Sequence, residues 1–477
     1  MSTTQLSSVH QVIDLLQKSL LNLGYKPDLA EVEQISFLIF GAMEGRHRRF
    51  HTIKHVFDVC EGMNDIQTIA ALFHDVVYYQ IDKSFPPNTA DLLLPFIEVQ
   101  QDILLIRTNA PLSQPFGLCL AIFDFQRGQT LLAFNGQNEF LSACVCALLL
   151  DKLLTLNHLV AIITCIEATI PFRKSIKNEA QQEVAFYDIL AQRLNQLALQ
   201  FGKAWHEQET NEMVKQAILL ANNDVKNFAA ADVGIFLDGT WALLPEMYAE
   251  LGQGGLYSTA NYRNALSRME SFFSVLQAEN VFHQYQNTPS NEKFESLIAN
   301  TKNNLSIGSA YIGAKLLPIA IIEAAAMLTG GDAPLSFFVG DLRFAHKAIK
   351  RAEDFLPQRE NANKRMPTNN LVFNLLEYGR ISHTNFDLQT SPLASYLYQE
   401  LGDTSCNELL VNAKAFFEGK ITATTFLAHK DDKVRKVICH LIKACAEIAT
   451  IRKDKLLALA NQLAKLPIDN TAKVSDK

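Results

Sequence analysis

Apolar residues recur at helical spacing almost from end to end of this 477-residue chain. Val9, Val12, Ile13, Leu16 and Leu20 form one such stripe, and Gly24 stands where that helix should stop. Asp28 and Glu31 have the spacing of a capping box, in which each side chain satisfies a free backbone N–H of the first turn. Asn64 or Asp65 is placed to start a further helix running through Ile69 to Phe73. No stretch alternates convincingly with period two, and no Asn-Gly pair between apolar runs announces a hairpin. Asn135-Gly136 alone leaves a hairpin or a helix break open. The expected fold class is all-α.

Apolar residues make up 48% of the chain and charged residues 19%, enough to bury large cores. The formal net charge of −7 argues against a binder of nucleic-acid polymers, which carries a basic face, and leaves nucleotide substrates open. All eight cysteines lack a Cys-x-x-Cys partner, and most lie in apolar runs such as Ala143-Cys144-Val145-Cys146-Ala147. Reduced, buried thiols and a cytoplasmic location are expected. Met1 to Ser8 is polar and reads as no secretory signal. The apolar runs Phe140 to Leu150 and Leu316 to Leu328 fall short of the roughly twenty residues a spanning helix needs, so buried helices and no membrane partner are expected.

Length alone suggests about three domains of ordinary size. Pro86-Pro87-Asn88, Leu251 to Gly255, Asn287 to Asn291 and Leu356 to Asn370 are the breaks, and the chain is polar after Pro467. Residues 1–285 and 286–477 are the expected domains, the second a helical region of unassigned role. The helix near Leu316 leaves core packing or the seam of a homodimer open. Gly330-Gly331-Asp332 reads as a helix C-cap and turn, with Tyr311, Lys315, Glu323, Asp341 and Arg343 around it. Trp241 reads as core.

Four of the twelve histidines fall between His47 and His74. His51 and His55 are four apart and would share one face of a helix. His74-Asp75 follows the apolar stretch Ile69 to Phe73, at the edge of a packed core. Arg46, Arg48, Arg49 and Lys54 give the segment basic flanks, and His47 reads as a solvated neighbour. Imidazoles and carboxylates fixed on apolar helices suit a divalent metal.

The segment Phe50-His51-Thr52-Ile53-Lys54-His55-Val56-Phe57-Asp58-Val59, followed by His74-Asp75, resembles the HD superfamily of metal-dependent phosphohydrolases, and its opening motif resembles that of the cyclic-nucleotide phosphodiesterases. Ile166-Glu167-Ala168-Thr169 is similar to the Ala-Thr element that precedes the distal Asp of that group. Asn223-Asp224-Val225-Lys226-Asn227 is similar to its distal motif, where Asn follows Asp by three. The resemblance spans roughly Arg46 to Asp232. It implies an HD-type helical bundle in which His55, His74, Asp75 and Asp224 hold the metal and Asp75 reaches towards a second ion. Asp224 is preferred to Asp232 because Asn227 follows it. His51 would be the general acid, and Asp58 would orient an imidazole. The implied reaction is hydrolysis of a phosphomonoester or phosphodiester, on a nucleotide or another small phosphorylated molecule.

A mixed set of two imidazoles and two carboxylates suits Mn, Fe, Mg, Zn or Co. The chain departs from the family at two places. Tyr78 stands where the phosphodiesterases have a His, and Ile170-Pro171-Phe172-Arg173-Lys174 follows Thr169 where many relatives have another. One metal site is therefore expected, with the second short of ligands. Arg173 or Lys174 could instead hold a substrate phosphate, since Arg forks match its oxygens, or be ordinary solvated charges. Two other readings stay open: an HD-type di-iron oxygenase, and a non-catalytic metal-containing binding or regulatory protein.

Overall fold

The computed structural model describes residues 7–174, 176–177, 183–202, 204–253, 256–342, 349–357 and 370–467. The fold is all-α, with two small antiparallel sheets. The chain divides into two compact units, and they interleave along the sequence: Met1–Ala229 with Gln277–Thr301, and Ala230–Leu276 with Lys302–Lys477. A single cut at residue 285 does not describe this. The reason is that the chain crosses over and returns. Tyr257, Thr259 and Arg263 bond to Phe386, Asp332 and Glu323 in the second unit. His283 and Tyr285 bond back to Asn222 and Asn211 in the first.

In the first unit, Ser8–Asn22 is a helix that buries Val12, Leu16 and Leu20. Gly24, at φ +90°, lets the chain turn away. Asp28 does precede the Leu29–Met43 helix, yet its side chain makes no capping bond, so the expected box does not form. The Asp65–Phe73 helix has a true one: Asn64 accepts from the Gln67 backbone at 2.9 Å, and the Asn64 backbone donates to the Gln67 side chain at 3.0 Å. Every residue from Ile66 to Phe73 is buried. Such a helix needs neighbours on all sides. It packs against Gln137–Leu150, Leu156–Ala168 and Glu207–Asp224, with Ile53–Cys60 alongside.

Strands Ile97–Gln100, Ile103–Ile106 and Thr130–Leu131 form one sheet, with Val99 opposite Leu104. The first turn uses Gln101 and Asp102, at φ 47° and 71°. Its backbone is that of a primed hairpin turn without the usual glycine, which is why residue preference gave no signal. Ile176–Lys177 pairs with Glu183–Val184. Gly136 begins the Gln137–Leu150 helix at φ 82°, so Asn135-Gly136 is a helix start. A Cβ there would meet Ile170 at 2.3 Å. All eight cysteines are free and buried.

In the second unit, the part of the Asn291–Thr329 helix from Lys302 onward runs through the core. Among the described residues it is the one helix long and apolar enough to cross a membrane. Its most apolar window is 89% buried within the protein, as a core helix requires. Gly330 and Gly331 end it, both donating to the Ala326 carbonyl. Glu323 pairs with Arg263 at 3.0 Å, and Trp241 is fully buried. Pro392–Phe417, which breaks into two helices at Gly402 (φ 78°), Asp432–Ile448 and Lys453–Ala464 complete the larger helices. Arg343, Gly254-Gly255, most of the Leu356 to Asn370 segment and the residues after Pro467 lie outside the described residues.

Candidate metal centre

Four side chains from three separate helices or their ends converge in the first unit. His55 is the third residue of Ile53–Cys60, whose apolar face (Ile53, Val56, Val59, Cys60) is buried. His51 is not on that helix. Thr52 is its extended N-cap, at φ −107° and ψ 171°, so His51 precedes the first turn. The expectation of one shared helical face is corrected, although the two rings still lie edge to face at 5.8 Å. His51 also meets the Tyr78 ring at 4.5 Å, and Phe50 lies 5.0 Å from both histidines.

His74 closes the Asp65–Phe73 helix and Asp75 begins the turn after it. That turn is held from three sides. Arg48 donates to the Asp75 carbonyl at 2.7 Å and to Val76 at 3.4 Å, while its other donors clasp Asp82. Ser142 accepts from the Val77 backbone and Asn138 from the Tyr79 backbone. His74 Nδ1 lies 2.8 Å from the Ala71 carbonyl. A carbonyl only accepts, so Nδ1 carries a proton, and Nε2 is the nitrogen left facing the cluster.

Asp224 is the last residue of Glu207–Asp224. Its position is set by its flanks. Asn223 donates to the Val59 carbonyl at 2.6 Å and Lys226 to the Asp58 carbonyl at 2.5 Å. These carbonyls belong to the last turn of Ile53–Cys60, where the helix has no internal donors left. The two helix ends that carry His55 and Asp224 are thus tied together.

His55 Nε2 lies 3.0 Å from Asp224 Oδ1 and 3.7 Å from Asp75 Oδ2. His74 Nε2 lies 3.1 Å from Asp75 Oδ2 and 3.4 Å from Asp224 Oδ1. Donors around a cation at 2.0–2.2 Å sit about 3.0–3.4 Å from one another. His55 Nε2, His74 Nε2 and Asp75 Oδ2 are buried with no hydrogen-bond partner. Orphaned polar atoms are costly, and here they all face one point. His55, His74 and Asp75 form a group able to hold a metal ion, and Asp224 joins through both imidazoles. Their side chains are 2 to 15% exposed, which leaves a narrow opening to solvent.

The electrostatics agree. Burial disfavours a charged His74, but Asp75 and Asp224 overcome it and raise the ring well above its ordinary value. Burial also opposes the Asp75 and Asp224 carboxylates, and the surrounding imidazoles hold both below the usual carboxylate range. Glu139, on the first turn of Gln137–Leu150, is pushed up to about 7 by burial, with the negative charges of Asp75 and Asp224 adding to the effect.

Other residues take different places. Asp58 is exposed and contributes its carbonyl to Lys226, so its carboxylate orients no imidazole in the cluster. Asp232 caps the Val233–Met247 helix at the Gly234 N–H, in the second unit. Arg173 donates to the Glu167 carboxylate at 2.8 Å and to the Glu167 and Ile170 carbonyls, with its guanidinium 3.7 Å over the Phe186 ring. It is bound into the protein, and Lys174 is exposed. His47 is solvated as expected, whereas Arg48 is 2% exposed. The sequence reading missed Arg48, Glu139 and the Asn223–Lys226 clamp. Only the clamp had a signal, the polar pair flanking Asp224 at a helix end. Comparison with family models, curated proteins and solved structures gives no match.

Proposed function

We propose that this chain is a metal-dependent phosphohydrolase of the HD type, cleaving a phosphomonoester or phosphodiester of a nucleotide or another small phosphorylated molecule. The observation that carries the reading is the convergence of His55, His74, Asp75 and Asp224, with buried ligand atoms left without hydrogen bonds. Mn, Fe, Mg, Zn or Co suits such a set, and a bound divalent cation would neutralise phosphate charge and acidify water.

The chain's own residues supply the rest. His74 is held as a ligand by its Nδ1 bond to Ala71. His51 stands beside His55 and Tyr78 as the proton donor to the departing oxygen, a role imidazole chemistry suits. Glu139, pushed up to about 7, is a second proton-exchanging group near the carboxylates. Tyr78 packs its ring on His51 where the family has a His, which favours one metal over two.

The test is metal analysis of freshly purified protein, followed by a phosphoester panel with His74→Ala and Asp75→Ala. Metal-dependent hydrolysis lost in both variants, with helical content retained, supports the assignment. Wild-type turnover in both removes it.

A further inference from the structure

The second unit buries a polar cluster that phosphoester chemistry in the first unit does not use. At its centre Asp387 accepts from Trp241 Nε1 at 2.7 Å, Lys315 Nζ at 2.8 Å and an Arg380 nitrogen at 3.3 Å, all on one oxygen. Lys315 also donates to Ser391 Oγ at 2.9 Å, which sits 3.3 Å from the Tyr311 hydroxyl. Lys315 and Arg380 are 5% and 2% exposed. Among the described residues of this cluster, two buried cations share one carboxylate. Glu353 is also close, and is paired with Arg351 at 3.4 Å. A buried excess of one positive charge calls for an anion.

A cavity of about 60 Å³ lies against this cluster, with Lys315 and Asp387 in its lining. Tyr262 lines it too, 2% exposed, and its hydroxyl has no hydrogen-bond partner. Burial and the nearby Asp387 raise its pKa well above the ordinary value, so it stays a donor. The first turn of Pro392–Phe417 reaches the same space through Leu393 and Ala394. Ser391 precedes that helix but does not cap it, since its hydroxyl is turned to Lys315 and Tyr311. Lys315, Tyr262 and a helix start without a side-chain cap are all donors. The remaining walls are mostly apolar, among them Pro318, Ile319, Leu335 and Val339, with Thr390 and the Arg351-paired Glu353 as the polar exceptions.

We propose that this cavity binds a short-chain monocarboxylate, its charged end held by Lys315, Tyr262 and the first turn of the helix, its hydrocarbon end against Ile319 and Leu335. One water needs about 10–15 Å³ by the same measure, so the space suits roughly four to six non-hydrogen atoms. Inorganic phosphate fits less well, because the apolar wall would leave some of its oxygens unpaired.

The experiment is isothermal titration of the full chain, metal-free and metal-loaded, with acetate through hexanoate, inorganic phosphate and propylammonium. Expected are saturable binding of carboxylates, a preferred length of about two to four carbons, and no binding of propylammonium. Tyr262→Phe should weaken the carboxylate at least tenfold while ligand-free thermal stability is kept or raised, since it deletes an unpaired buried hydroxyl. Ile319→Ala should shift the preference to a longer chain, and serves if the first variant misfolds. No carboxylate binding at millimolar concentration, phosphate binding more tightly than every carboxylate, or unchanged affinity in Tyr262→Phe would overturn the assignment. None of these outcomes depends on the metal chemistry of the first unit.

Discussion

Asn223 donates its side-chain amide to the Val59 carbonyl at 2.6 Å, and the residue after it is Asp224. This bond sets where the Asp224 carboxylate sits relative to His55, which is four residues before Val59. Removal of such supporting bonds typically costs ten- to a hundredfold in metal affinity. Asn223→Ala should therefore weaken metal binding by about tenfold or more while helical content stays unchanged. Competition with a chromophoric chelator measures it, and an affinity equal to wild type would show that the clamp is dispensable.

Arg48 should be a stability residue. Its side chain is fully shielded and links Asp82 to the carbonyls of Asp75 and Val76. Arg48→Met leaves the Asp82 carboxylate and two carbonyls without their donor. Breaking a buried pair from one side costs about 3–5 kcal/mol, so urea unfolding should move to a markedly lower midpoint. A change below about 1 kcal/mol would place Arg48 outside the support of the His74-Asp75 turn.

Metal binding should release protons. The His74 ring is raised above its ordinary value by Asp75 and Asp224 against burial, so in the metal-free protein it holds a proton at pH 7 that an ion must displace. Below its raised pKa, affinity should fall by about tenfold per pH unit. Glu139 is pushed up to about 7, and a nearby cation pulls it back down, which adds about half a proton at pH 7. Calorimetry in buffers of different ionisation enthalpy counts these protons. Glu139→Gln should remove about half of one; an unchanged count would separate Glu139 from the centre.

His283 should make the protein acid-sensitive. Burial, with Arg173 nearby, lowers its pKa to about 4 from the ordinary 6.5. The folded state thus resists protonation that the unfolded chain accepts. Stability is unaffected above about pH 6.5 and falls as pH drops towards 4, by up to about 3 kcal/mol from this group. His283→Gln should flatten that part of the stability profile. Parallel profiles for variant and wild type would refute the assignment.

Much of this architecture was legible in the sequence. The stripe from Val9 to Leu20 and the Asn64 start became helices because apolar spacing and capping chemistry act locally. The resemblance to the HD superfamily implies His55, His74, Asp75 and Asp224 as a set, and the fold brings them together. Local reasoning failed where tertiary contact decides. Thr52 starts a helix one residue after His51, which no pattern marked. Arg48 looks like its basic neighbours Arg46 and Arg49, but only its position allows it to reach Asp82. Arg173 resembles a free phosphate-binding fork until Glu167 is placed beside it. The interleaved units depend on long-range bonds such as Trp241 to Asp387, which leave no periodic trace.

The most direct test is metal stoichiometry in the chain and two Asp variants, measured by mass spectrometry after reconstitution and desalting. One divalent ion per chain in wild type and in Asp232→Ala, with loss in Asp224→Ala, is the predicted result. No bound ion in the wild type, or equal retention in Asp224→Ala, would contradict it.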